Sequence, residues 1–317
     1  MSLKRMHADE VETDASLVRR LLTTQFPQWT DLRIERVASA GTDNAIYRLG
    51  DALAVRLPRR PGAIGQVEKE ERWLPVLAPH LPLAIPVPIA KGTPGEGYPW
   101  EWCISPWLEG DDATAEHIRD LREAAVDLAA FIAALQRIDA TGGPRPGRHN
   151  FFRGVPLAVR DDQIRKAIPH WDGLVDIRAV TAAWEAALEA PAWEEPPVWI
   201  HGDLFPGNIL ARGGRISAVI DFGCLGVGDP AGDLFVGWNL FSGESRDVFR
   251  AALGVDAATW ARGRGWALMG LGALPYYRNT NPAIVARARH QIEEVLADHA
   301  QKVRDTDHDV SANRRLL

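Results

Sequence analysis

Three oxygen-bearing side chains, Asp203, Asn208 and Asp221, stand close together in this chain, on either side of a short hairpin. The apolar run Val198-Trp199-Ile200 reads as a buried strand and leads into a polar loop, His201 to Asn208. Ile209 to Ala211 and Arg215 to Ile220 read as two strands joined across the Gly213-Gly214 turn, and the second ends at Asp221-Phe222-Gly223. Two loops therefore leave neighbouring strand ends, each carrying a carboxylate. That layout suits phosphoryl transfer from a nucleotide. The reaction needs one oxygen acceptor to orient the attacking hydroxyl, and separate oxygens to hold magnesium against the phosphates. Asp203 is the expected acceptor, and Asn208 and Asp221 are the expected metal ligands.

Asn208 follows Asp203 by five positions, the spacing of the kinase catalytic loop, and Asp221-Phe222-Gly223 repeats the kinase metal-binding triplet. Gly202 stands where protein kinases carry Arg. With Gly228-Asp229-Pro230 and Asp233 downstream, the pattern resembles the aminoglycoside phosphotransferase family of small-molecule kinases, and the likeness extends over most of the chain. The resemblance implies an α+β, bilobal protein-kinase-like fold, with an antiparallel-sheet N-lobe and a mainly helical C-lobe. It also implies ATP or GTP with Mg2+, and a small-molecule hydroxyl as acceptor, an aminoglycoside or other antibiotic first. Related folds phosphorylate choline, homoserine, fructosamine or methylthioribose, and nothing in the sequence excludes those acceptors. The rival from another class is a catalytically silent nucleotide-binding pseudokinase. Retention of Asp203, Asn208 and Asp221 opposes it. The absence of an Ala-Pro-Glu element after the triplet argues against a protein kinase.

The elements that must position these groups begin with a helix from Asp14 to Gln25, capped by Thr13 or Asp14. Three antiparallel strands follow at Leu32–Ala38, Asn44–Leu49 and Ala52–Leu57. By the resemblance, the first turn between them lies over the nucleotide phosphates, with backbone N–H groups and the Ser39 and Thr42 hydroxyls as donors. Arg56 matches the position of the kinase lysine that contacts phosphates, and its planar fork suits that role. A helix from Gly65 to Leu77 carries Glu68, Glu70 and Glu71, and Glu70 is the expected partner of Arg56. Trp100 to Ile104 reads as a strand; by the resemblance a hinge follows it, where the backbone at Ser105 and Trp107 is expected to bond the purine edge. The expected organisation is thus residues 1–104 as the nucleotide-binding lobe, 105–110 as hinge, and 111–317 as the helical lobe.

In that second lobe Leu121, Leu128, Ile132, Leu135 and Ile138 form one apolar helical stripe. Further helices are expected over Val175–Ala190, Pro230–Phe241, Glu244–Leu253, Ala257–Met269 and Pro282–Gln301, before a frayed tail. His201 has no second His or Cys at ligand spacing, so it reads as a hydrogen-bonding brace and not as a zinc ligand. Asp229 before Pro230 reads as a helix cap, with Asp233 bracing the loop.

Composition bounds the rest. The chain has 317 residues, 46% of them hydrophobic, enough for one large domain or two joined lobes. A net charge of −6 argues against nucleic acid as a partner. No apolar run reaches membrane-spanning length, and the polar start MSLKRMHADEVETD has no signal-peptide core. Cys103 and Cys224 are the only cysteines, which fits a reducing cytoplasm. Most of the twelve tryptophans should be core. Oligomeric state leaves no mark on the sequence.

Overall fold

The computed structural model describes residues 10–37 and 43–314. Ser39 and Thr42, the expected phosphate-loop hydroxyls, lie outside the described residues. Helix α1 (Ala15–Gln25) starts at Asp14, whose carboxylate accepts the Leu17 N–H at 2.7 Å. It buries Leu17, Val18, Leu21 and Leu22 with the inward side chains of a five-stranded sheet. The strands are β1 (Ile34–Arg36), β2 (Asn44–Leu49), β3 (Leu53–Pro58), β4 (Ala90–Gly92) and β5 (Trp102–Pro106). They are antiparallel neighbours in the order β1-β2-β3-β5-β4. In β2 alternate residues Ala45, Tyr47 and Leu49 face inward, the period a half-buried strand demands. Helix α2 (Gln66–Leu77) joins β3 to β4, and its cap, Gly65, has φ +85°, a conformation that favours glycine.

Strand β5 ends two residues later than its hydrophobic run indicates. Ser105 pairs with Ala54 and Pro106 with Leu53, so the expected hinge 105–110 begins inside the sheet. Ladder partners on β3, not side-chain polarity, set that end.

The helical part begins after the short strand β6 (Asp111–Asp112) with α3 (Leu121–Arg137), capped by Asp120. Leu128, Ile132 and Leu135 are buried, and Leu121 and Ile138 pack at the margin of the same core. Helices α4 (Asp161–Ala167) and α5 (Ile177–Leu188) follow. Next come β7 (Val198–Ile200), β8 (Ile209–Arg212), β9 (Arg215–Val219) and β10 (Gly226–Gly228). The β8–β9 hairpin turns through Gly213 and Gly214, both at positive φ, as expected for a twisted two-residue turn. Strand β8 also pairs with β6, and β10 pairs with β7.

Pro230 opens a single 3-10 turn, to Asp233, and not the long helix the sequence indicates; the helix proper is α6 (Val236–Asn239). Helices α7 (Gly243–Leu253), α8 (Ala257–Ala267), α9 (Ala273–Tyr277) and α10 (Pro282–Arg314) complete the chain. Helix α10 continues through the segment expected to fray.

Two hydrophobic clusters result, one between α1 and the sheet and a larger one among the helices. Trp102, Trp171, Trp184, Trp199, Trp238, Trp260 and Trp266, seven of the twelve tryptophans, are buried. Both cysteines are free and buried. Among the described residues no helix is long and apolar enough to cross a membrane.

One buried ion pair fixes the helices to the turn after β10. Arg262 of α8 grips Asp229 through Nε at 2.8 Å and Nη2 at 3.2 Å, and donates to the Pro191 carbonyl at 2.6 Å. Both side chains are about 5% exposed or less. Removing one partner of such a pair strands the other charge. Arg262→Ala should therefore lower unfolding free energy by about 3–5 kcal/mol in urea titration.

Candidate active site

The loop after β7 is held from behind. Asp233, fully buried, accepts the N–H groups of His201 at 2.7 Å and Gly202 at 2.6 Å. Burial pushes its carboxyl up to about 7 against the pull of those two amides. His201 is also fully buried. Its Nε2 donates to the Ile220 carbonyl at 3.0 Å and its Nδ1 accepts the Asp203 N–H at 3.1 Å. Both ring nitrogens are thus occupied, and burial holds the imidazole neutral, pulling it down to about 4. Gly202 sits at φ +80°, and a Cβ there would come within 2.8 Å of the Cys224 carbonyl. No larger residue fits without moving the backbone.

This brace turns Asp203 toward Asn208. The Asn208 amide donates to the Asp203 carbonyl at 2.8 Å and to its Oδ2 at 3.0 Å. Asn208 in turn accepts the Ile220 N–H on its main-chain carbonyl at 2.9 Å, joining this loop to the strand that delivers Asp221. Asp221 has φ +61°, which points its half-exposed carboxylate out of the strand line, and its Oδ1 accepts the Gly223 N–H at 3.4 Å. The structure therefore brings residues 203, 208 and 221 to one crevice. Burial pushes the Asp203 carboxyl up to about 6, with Arg153 opposing and Asp221 adding to the rise. The Asn208 nitrogen is committed to Asp203, so the side-chain oxygen is the atom that could serve as a metal ligand. Among the described residues no set of three His, Cys, Asp or Glu could hold a metal. A site of one carboxylate, one amide oxygen and nucleotide phosphates matches how Mg2+ is usually held, with few protein ligands.

From the sheet side, Arg56 of β3 forks onto Glu70 of α2, Nη1 to Oε1 at 2.8 Å and Nη2 to Oε2. Burial opposes both charges, and each partner sustains the other. The same guanidinium lies 3.9 Å from Asp221 Oδ1, which joins sheet and triplet across the crevice. Glu70 is thus the one glutamate of its helix that meets Arg56; Glu71 pairs outward with Lys91.

The backbone expected to meet the purine faces elsewhere. Trp107 donates its N–H to the Ala52 carbonyl at 2.8 Å, so the same edge of Ser105 is turned to β3. Because main-chain groups alternate along a strand, the Pro106 carbonyl, at the end of β5, points to the opposite edge, beyond the end of β4.

Two residues were missed by sequence reasoning. Lys69 Nζ donates to the Gly223 carbonyl at 2.6 Å, tying α2 to the triplet, and burial pulls its amine down to about 8. Arg153, from the loop before α4, sets Nη2 3.7 Å from Asp203 Oδ1. Neither has a motif; only its position after a long excursion of chain brings Arg153 here.

The sequence model of the phosphotransferase enzyme family matches residues 34–266. No curated protein matches the chain. Among solved structures, the GDP and kanamycin complex of APH(2")-IIia is 19% identical, with a TM-score of 0.70 over 89% of this chain and 98% of that one. ADP-bound aminoglycoside phosphotransferase APH(2'')-Ib is 18% identical, with a TM-score of 0.59 over 89% and 98%. Macrolide 2'-phosphotransferase MphH from Brachybacterium faecium is 23% identical, with a TM-score of 0.59 over 88% and 97%. At these identities the likeness is one of fold.

Replacing Asp233 by Ala leaves two buried amide N–H groups without an acceptor. The expected loss is about 2 kcal/mol or more of unfolding free energy, read by urea titration. A variant as stable as the parent would show that the loop has another support.

Proposed function

Since the chain belongs to the phosphotransferase enzyme family, we propose that it moves the γ-phosphoryl group of a nucleoside triphosphate onto a hydroxyl of a small molecule. The observation that carries the reading is the Asp203–Asn208 contact at 3.0 Å beside a strand end that presents Asp221. Asp203 orients the acceptor hydroxyl and takes its proton late, because the loose transition state needs little activation of the nucleophile. Arg56, locked by Glu70, steadies the phosphates from the sheet. Asn208 and Asp221 hold Mg2+, which neutralises phosphate charge when bound. The Pro106 carbonyl accepts from the purine edge in this reading. The donor is ATP or GTP, in keeping with ADP and GDP in two of the solved neighbours. The compartment we propose is the cytoplasm, where nucleotide is plentiful and the two buried thiols stay reduced.

A catalytically silent nucleotide binder has no use for a proton acceptor, and membership of a family of enzymes argues against it. The hydroxyls of aminoglycosides and macrolides, named in the neighbours, head the panel of acceptors to try.

Asp203→Ala should cut turnover by about 10²–10⁴-fold while nucleotide affinity stays within about twofold, in a coupled assay of nucleoside-diphosphate release. Near-parental turnover would refute the assignment. The pH profile gives a second check. A proton acceptor works ionised, and burial lifts the Asp203 carboxyl to about 6. The rate should hold above that pH and fall as pH drops through about 6; a fall centred near 4 would count against Asp203 as the group.

A further inference from the structure

Helix α2 brings a cation of its own to the site, beside the glutamate that meets Arg56. Lys69 Nζ donates to the Gly223 carbonyl at 2.6 Å and lies 3.4 Å from His149 Nδ1. The other ring nitrogen decides what Nδ1 can do. His149 Nε2 stands 2.8 Å from the Arg145 carbonyl, which can only accept, so Nε2 carries the proton. The Nδ1 lone pair therefore faces the amine, and His149 accepts from Lys69. His149 is 80 residues from Lys69 along the chain and Gly223 is 154, so one amine ties together three distant segments.

The segment that matters for the chemistry is the one carrying Asp221. That residue stands at φ +61°, a left-handed conformation that disfavours a side chain. Its Oδ1 accepts the Gly223 N–H at 3.4 Å, too long a bond to set the carboxylate alone. The turn is pinned from α2 instead. A Cβ on Gly223 would come within 2.9 Å of the Gln66 side-chain amide, so helix and triplet meet closely there, and Lys69 takes the carbonyl of the same residue. Phe222 stands edge-on to the His201 ring, with centroids 4.5 Å apart. The other acceptor of the amine is anchored too. The His149 loop bonds to β10 through the Val227 N–H and the Pro144 carbonyl at 2.9 Å. It also wraps on the fully buried Asn150, whose amide donates to the Arg153 carbonyl at 3.2 Å. Lys69 thus lies between two anchored acceptors, and the peptide after Gly223 is held with it.

We propose that Lys69 is a positioning residue for the metal ligand Asp221, acting through the Gly223 carbonyl, with His149 as the acceptor that keeps its amine in place. This rests on the reading of Asp221 as a ligand of Mg2+. Partners that orient a metal ligand typically set about 10–100-fold of the metal's affinity. A lysine that served folding alone would not separate metal affinity from nucleotide affinity.

The test uses the full chain with equimolar ADP and Mn2+, a paramagnetic stand-in for Mg2+ whose free-ion resonance is lost on binding. Lys69→Met keeps the aliphatic length and removes the donor. It should weaken Mn2+ by about tenfold or more, while ADP affinity in EDTA stays within about twofold. Lys69→Arg restores a donor and should recover part of the loss, and His149→Ala should weaken Mn2+ in the same direction by less. In the coupled assay, the Mg2+ concentration for half-maximal rate should rise in Lys69→Met, with the rate at saturating Mg2+ close to the parent's. Unfolding midpoints monitor each variant, and should Lys69→Met fail to fold, His149→Ala carries the comparison. Parental Mn2+ affinity in Lys69→Met or in His149→Ala, or an equal fall in metal-free ADP affinity, would overturn the proposal. Asp221→Ala tells this failure from failure of the site. If it abolishes Mn2+ binding while Lys69→Met leaves it intact, only the positioning role falls. If Asp221→Ala itself leaves Mn2+ binding intact, the ligand reading falls and the proposal with it.

Discussion

The site depends on two peptide N–H groups being held by one buried carboxylate. Asp233 takes the amides of His201 and Gly202, and this fixes where the next residue, Asp203, begins. His201 then spans from its own loop to the Ile220 carbonyl, while Asn208 accepts the Ile220 amide, so one residue of the neighbouring strand is bonded from both sides. Spacing in the sequence becomes spacing in the crevice because this lattice leaves the loop little freedom. A buried acceptor of two amides is costly to remove, since each unmet donor loses its water without replacement. Arg262 extends the same constraint outward by clamping Asp229, which opens the turn that carries Asp233.

Much of this was readable beforehand. The strand, polar loop, hairpin and triplet from Trp199 to Gly223 lie in one short stretch, where alternation and glycine turns specify structure locally. The Arg56–Glu70 contact spans only a strand and a helix. What could not be read came from longer range. Strand β5 runs to Pro106 because Leu53 and Ala54 supply ladder partners, and that register turns the Ser105 and Trp107 amides away from the cleft. A strand's end is decided by its neighbour, and a shift of one residue reverses the direction of every main-chain group. Arg153 was silent for a related reason, since its loop has no periodicity and its partner lies fifty residues on. The turn at Pro230 reads as a helix from its proline and apolar content, but Asp233 is drawn inward to bond the loop and the helix starts late.

The electrostatics divide across the crevice. On the sheet side Arg56 is matched by Glu70 and approached by Asp221, a balanced arrangement that suits the proposed hold on phosphates and a cation. On the far side, Arg153 stands 3.7 Å from Asp203. Fold alone does not choose an acceptor, because the same scaffold hosts many. Charge on the walls can.

Helix α2 is fastened at two successive residues: Glu70 to the sheet's arginine and Lys69 to the Gly223 carbonyl. Any outward swing of that helix would strip Arg56 and the Gly223 carbonyl of their partners in one movement. A displacement of α2 therefore costs both contacts together.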